Sequence, residues 1–292
     1  MSLNSQNPPM LIYLDSKDLI NILEKSNPLS VEQLEHFLKG GNHKIVLSFL
    51  TIMEIVEPLL HEKATTNVMV LLRHIEKLPH AYIHSDISRL ELEEALRAFS
   101  TGDKYKGIFP FVNRFDETVD LNASPPTKNY INYRLSETIW DLYCFGALGG
   151  LDNYSEELRK TFAADRALSP KPSLKKHFAK TIERNIGLNR LLIPDENIST
   201  FADWIYSDAS RCPSVRLGYE VWHKMVRNIT DIPHDSDLED FQHIGYLPYV
   251  DLMTLDRRMH GYVCQVSKDI SVDYNKMIFR NTKEVLNEMS LI

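Results

Sequence analysis

The chain has 292 residues, 43% of them hydrophobic and 25% charged, with a formal net charge of −7. That length buries a large core, and the acidic balance excludes bulk attraction to nucleic acid, so such binding would need local basic patches or a metal ion. The three cysteines, Cys144, Cys212 and Cys264, form no CxxC pair, which argues against a zinc site or disulfide framework and fits a reducing compartment.

Met10 to Leu14 (MLIYL) is an apolar run without helical period and is expected to be a buried strand, with Asp15 directly after it. Ser16 is placed to cap a helix whose apolar residues Leu19, Ile20 and Leu23 keep helical spacing up to Asn27 and Pro28. A second helix follows, with a capping box at Ser30 and Gln33, a stripe of Val31, Leu34, Phe37 and Leu38, and a stop at Gly40 and Gly41. Lys44 to Leu47 reads as the next strand. Ser48 at its end is placed to cap a helix that buries Ile52, Ile55, Val56, Leu59 and Leu60 and carries Glu54 on its other side. Pro58 is expected to kink or end that helix.

From about Asp86 to Asn228 the pattern is almost wholly helical, with apolar stripes in ISRLELEEALRAF, YRLSETIWDLYCFGAL, SLKKHFAKTIERNIG and PSVRLGYEVWHKMVRNI. Loops are expected at Thr101 to Pro110, Leu121 to Thr127 and Leu168 to Pro172, and no strand. Ser236 and Glu239 then form a capping box, which puts Asp240 in the first turn of a helix and His243 on the same face. Leu247 and Pro248 close it. Val250 to Thr254 reads as a buried strand ending at Leu255 and Asp256, followed by a helix over Arg257 to Lys268, a short strand at Lys276 to Phe279 and a closing helix over Thr282 to Met289.

Strands separated by helices, without hairpin signals, predict an α/β protein: a parallel sheet with helices on both faces, forming a single domain over residues 1–292 with a helical insertion at 86–228. In that architecture Asp15, Ser48 and Asp256 lie at the carboxyl edge of the sheet, where ligands bind, and Glu54 and Asp240 project from helices that start beside it. Carboxylates crowded there raise one another's pKa unless a cation neutralises them, and hard oxygen donors suit magnesium or manganese. Asp235 and Asp237 are read as solvated turn carboxylates. Hydrolysis of a nucleic-acid backbone by metal-activated water is the reaction such a cluster suits.

The chain resembles the PIN-domain nucleases. YLDS at Tyr13 to Ser16 is similar to that family's first motif, SFLTIMEI at Ser48 to Ile55 to its Ser/Thr and Glu motif, and DFQH from Asp240 with PYVDLMTLD ending at Asp256 to its third and fourth. Thr254-x-Asp256 and its spacing from Asp240 resemble the larger bacterial PIN-like proteins. The resemblance implies a three-layer α/β/α fold and a metal-dependent ribonuclease, with Asp15, Glu54, Asp240 and Asp256 as ligands of Mg2+ or Mn2+ and Ser16 or Thr254 hydrogen-bonding nearby. It further implies an RNA substrate and, as in toxin members of the family, an antitoxin protein as partner. It covers only the two ends of the chain, and the gap between Glu54 and Asp240 is far longer than in a compact PIN domain. The alternative is a catalytically silent PIN-like scaffold that holds RNA or a protein on the same surface.

His243, one turn from Asp240, is a candidate to orient a carboxylate, and Asp251, at the start of its strand, is a reserve ligand. GxGxxG, P-loop, GxSxG and HExxH motifs are missing from the sequence, which leaves dinucleotide, nucleotide, serine-hydrolase and zinc-protease chemistry without support. Arg166 to Arg190 carries Lys171, Lys175, Lys176, Lys180 and Arg184 between its ends, against the single acid Glu183. It reads either as an RNA-facing groove or as a solvated helix face. The start, MSLNSQNPPM, lacks a basic region followed by an apolar one, and the longest apolar run, Trp140 to Leu151, is broken by Asp141 and glycines. Neither a signal peptide nor a membrane span is expected, and a cytoplasmic location is.

Overall fold

The central strand is β1, Leu11–Tyr13, the middle of the MLIYL run. A computed structural model describes residues 9–24, 31–60, 65–119, 134–144, 152–168, 173–188, 191–230, 235–270, 274 and 277–289. β1 pairs in parallel with β2 (Lys44–Ser48) on one side and with the later strand Leu252–Thr254 on the other. His80–Ile83 (β3) extends the sheet beyond β2, and Phe111–Val112 (β4) pairs antiparallel with β3, the one antiparallel pairing among the described strands. With Leu252–Thr254 as β5 and Ile278–Phe279 as β6, the order is β4-β3-β2-β1-β5-β6.

β4 corrects the expectation of a strand-free block after Asp86. Two residues are too few to show a period, and the strand exists because Phe111 and Val112 pair with Ile83 and Tyr82. The chain builds outward from β1 through β2 and β3, then returns to the other side of β1 with β5 and β6. The strand order therefore reverses between β1 and β5, the point beside whose carboxyl ends open α/β sheets bind ligands.

Residues alternate between two cores along each strand, as a pleated backbone requires. Ile12, Leu14, Ile45 and Leu47 face helices α1 (Ser16–Leu23), α2 (Val31–Gly40), α3 (Phe49–Leu60) and α4 (Thr65–Ile75). Tyr13, Val46, Ile83 and Met253 face the other way, against the start of α5 (Ile87–Thr101) and the later helices Pro213–Arg227, Asp235–His243 and Arg257–Asp269. Between α5 and these lie α6 (Leu135–Cys144), α7 (Asp152–Ala167), α8 (Leu174–Leu188) and α9 (Asp195–Tyr206). Pro213–Arg227 is thus α10, Asp235–His243 α11 and Arg257–Asp269 α12, and Thr282–Met289 closes the chain as α13.

The helical block does not stand apart from the sheet. α6 adds Leu135 and Ile139 to the first core. A third core joins Leu92 and Ala95 of α5, Phe178 and Ile182 of α8, Phe201 and Ile205 of α9, and Val215 and Tyr219 of α10. Because α5 and α10 also contribute Ile87, Leu217 and Val221 to the second core, they bind the extra helices to the sheet layer. Among the described residues no helix is long and apolar enough to cross a membrane.

Local expectations need two adjustments. Asp15, not Ser16, caps α1, accepting from the Lys17 N–H at 2.9 Å. Ser48 caps α3 as expected, through the Thr51 N–H at 3.0 Å, but that helix runs on through Pro58. Proline there sits near the helix end, and the donor it lacks is the one that would have met the Glu54 carbonyl. The loop at 103–110 is present after α5. Asn27, Pro28, Ser30, Leu121 to Thr127, Lys171, Arg190 and Lys276 lie outside the described residues, as do the side chains of Leu59, Leu60, Ser236 and Glu239.

Candidate metal centre

Asp15 and Asp256 leave neighbouring parallel strands at the reversal point, and each caps the helix that follows. The Asp256 carboxylate accepts from the Arg258 and Met259 N–H groups at 2.8 and 2.7 Å. The strand ends are tied together where Thr254 Oγ1 accepts the Asp15 N–H at 2.7 Å. Helix N-termini favour negative charge, so both acids are held at the edge without needing a side-chain cation.

From the facing helix α11, Asp237, Asp240 and His243 project at three-residue spacing, one side of a helix. Carboxylate oxygens of Asp237, Asp240 and Asp256 lie within 4.8 Å of one another. Burial pushes the Asp240 carboxyl up to about 7, helped by Asp256 and Asp15 and more weakly by Glu54, with His243 opposing. Of the four acids expected to converge, Asp240 and Asp256 share this group, and Asp15 and Glu54 act on Asp240 from outside it. Burial also raises Asp15, against the pull of His243.

Asp237, read from the sequence as a solvated turn residue, is instead 7% exposed, sits in this cluster and forms an ion pair with Arg258. Its spacing from Asp240 was the available signal. Its partner, on α12, comes near only through the fold.

Glu54 reaches the same region from α3. Burial would raise its carboxyl, but the His243 charge and hydrogen bond, with the Ser16 hydroxyl, outweigh that and lower it. His243 Nε2 lies 2.9 Å from Glu54 Oε1, and its Nδ1 lies 2.5 Å from the Tyr13 hydroxyl. Tyr13 in turn hydrogen-bonds Ser48 and Thr51, each at 2.8 Å. His243 thus orients a carboxylate, but that carboxylate is Glu54 rather than its own helical neighbour Asp240.

Asp251 is not part of this group. It precedes β5, at the opposite edge of the sheet, where its carboxylate accepts the Leu11 N–H at 2.7 Å. In the basic stretch, α8 turns Phe178, Ile182 and Ile186 inward and leaves Lys175, Lys176, Lys180 and Arg184 on its outer side. Lys175 is ion-paired with Asp203 at 3.0 Å.

The donor set fits a hard divalent cation: all oxygens, clustered, and with an Asp240 carboxyl raised first by burial and then by the negative charge of Asp256 and Asp15. No protein-family model matches the chain, and neither a curated protein nor a solved structure matches it.

Proposed function

We propose that the chain is a magnesium- or manganese-dependent ribonuclease with a PIN-like fold, working in the cytoplasm. The observation that carries this is the grouping of the Asp237, Asp240 and Asp256 carboxylates beside the strand-order reversal, with Asp15 and Glu54 near enough to act on Asp240. Asp240 and Asp256, with Asp15 and Asp237, are the residues that would hold the ion. A divalent cation bound there supplies charge to a phosphodiester as negative charge develops on it, and lowers the pKa of water. Glu54 is kept ionised and fixed in orientation by His243, which suits it to position the attacking water. Thr254 keeps the Asp15 and Asp256 loops in register. The toxin reading, with an antitoxin as protein partner, follows from the sequence resemblance alone.

The test is cleavage of a mixed RNA pool across a titration of Mg2+ and Mn2+, with wild type beside Asp15→Asn and Asp256→Asn. Metal-dependent cleavage lost in both variants is expected. Metal-independent cleavage, or cleavage unchanged in the variants, rules the assignment out.

One observation favours the silent scaffold: Arg258 on Asp237 and His243 on Glu54 give the cluster two cations from the protein itself. RNA or protein bound at this edge without cleavage under either metal would select that reading.

A further inference from the structure

The loop between α5 and β4 reads Lys104-Tyr105-Lys106-Gly107-Ile108-Phe109-Pro110 and is pinned along its length. Tyr105 packs on the helical core, Ile108 on the second sheet core, and the Lys106 N–H donates to Glu94 at 3.2 Å. Gly107 turns the chain at φ 77°. The Pro110 carbonyl accepts the His84 N–H at 2.9 Å, just past the carboxyl end of β3. What points outward from this anchored loop is Lys104, Lys106 and Phe109, and Phe109 is 83% exposed. Phe111 meets the Phe109 ring edge-on, with centroids 5.3 Å apart.

Because β4 is antiparallel to β3, Phe109 lies at the same edge of the sheet as the acids. At ~4.8 Å per strand, β4 is on the order of 15 Å across that edge from Asp15. An aromatic held in water by a pinned loop is pre-organised for contact. It is a single exposed ring that follows two exposed lysines and a glycine in the chain, not the broad apolar patch that a protein partner would cover. Base faces stack on such a ring, and phosphates suit the lysines; a duplex keeps its base faces hidden, so the fitting ligand is a single strand.

We propose that Phe109 is a stacking platform for a base of single-stranded RNA, set so that the strand continues along the sheet edge to the acids. This rests on the nuclease reading and deepens it by naming a point where the substrate is held. Lys104 and Lys106 hold the flanking phosphates.

The test uses the full chain in EDTA, so that binding is read without cleavage, with fluorescein-labelled single-stranded RNA and the same RNA carrying 5-iodouridine. Phe109→Ala should weaken binding about tenfold while Phe109→Trp retains it. Lys104→Ala with Lys106→Ala should reduce the salt slope by about 0.7 for each phosphate no longer neutralised. The photo-crosslink should map to Phe109. Unchanged affinity in Phe109→Ala, a crosslink only elsewhere, or failure of the wild type to bind single-stranded RNA overturns the proposal. If the Phe109 variant binds like wild type while Asp256-dependent cleavage persists, the platform fails alone. If it binds weakly and no metal supports cleavage, the nuclease assignment fails and the platform stands.

Discussion

His243 bridges Glu54 and Tyr13 from inside the protein, with its two ring nitrogens 2.9 Å from the Glu54 carboxylate and 2.5 Å from the Tyr13 hydroxyl. Burial works against the charged ring, yet Glu54 and the nearby Asp15 and Asp240 raise its pKa above 6.5, while Glu54 ends below 4.5. A raised histidine adds stability that is complete below its unfolded pKa and lost as pH rises through the folded one. A lowered carboxyl adds stability present above its unfolded pKa and lost as pH falls through the folded one. His243→Ala should therefore destabilise most between about pH 4.5 and 6.5, by about 3 kcal/mol, with His243→Gln recovering part through its amide. Urea unfolding across pH checks this, and equal stability of His243→Ala and wild type contradicts it.

The Asp240 carboxyl, pushed up to about 7 from 3.8, has the opposite stability sign to Glu54. Its folded form takes up a proton more readily than its unfolded form, so stability falls as pH rises from the unfolded pKa toward 7. Asp240→Asn should stabilise the metal-free protein at pH 8, by ~1 kcal/mol once solvent screening of a partly exposed group is allowed for, and not at pH 4. Added Mn2+ should stabilise wild type and not the variant. Thermal melts at the two pH values, with and without Mn2+, read both effects.

Glu91 holds the helical block against the site from a distance. It is fully buried and accepts from the Ser214 and Val215 N–H groups of α10 at 2.9 and 3.0 Å and from the Tyr249 hydroxyl. Tyr249 belongs to the 3-10 turn Ile244–Tyr249 that leads from α11 to β5. Glu91→Ala strands those donors without an acceptor and should cost about 3 kcal/mol. Burial lifts the Glu91 carboxyl to about 7 against these hydrogen bonds. Wild type should accordingly lose stability relative to Glu91→Gln as pH rises toward and past 7, which chemical unfolding at pH 5 and 8 measures.

The outward-facing cations of α8 make a separate prediction. Charge reversal at Lys175, Lys176 and Lys180 should weaken RNA binding and flatten its salt dependence while leaving Mn2+ affinity unchanged, if the stretch forms a groove toward the acids. Binding titrations at several salt concentrations decide it: unchanged affinity and slope identify a solvated face.

β1, β2 and β5 were legible because each is an apolar run that stops at a polar residue with a helix to cap or an edge to occupy. The polarity of β5 also sorts its two flanking acids: Asp251 enters the strand and Asp256 leaves it, so they stand at opposite edges. Asp251 accordingly caps the start of β1, away from the acids, and cannot serve as their reserve ligand. β3 and β4 were not legible, since HAYI begins with a half-buried histidine and FV is too short to carry a period. The face shared by Asp240 and His243 followed from helical spacing. The turn of His243 toward Glu54, and the burial of Asp237 beside Arg258, depend on helices 189 and 21 residues away in sequence, which local patterning does not encode.

The most direct measurement of the central claim is Mn2+ binding itself, by electron paramagnetic resonance of the free ion titrated with protein. Wild type should take up Mn2+ with competition from Mg2+, and Asp240→Asn and Asp256→Asn, both folded by thermal melt, should leave the ion free. Uptake by the variants equal to that of wild type, or no uptake by wild type, would contradict a metal centre at this edge.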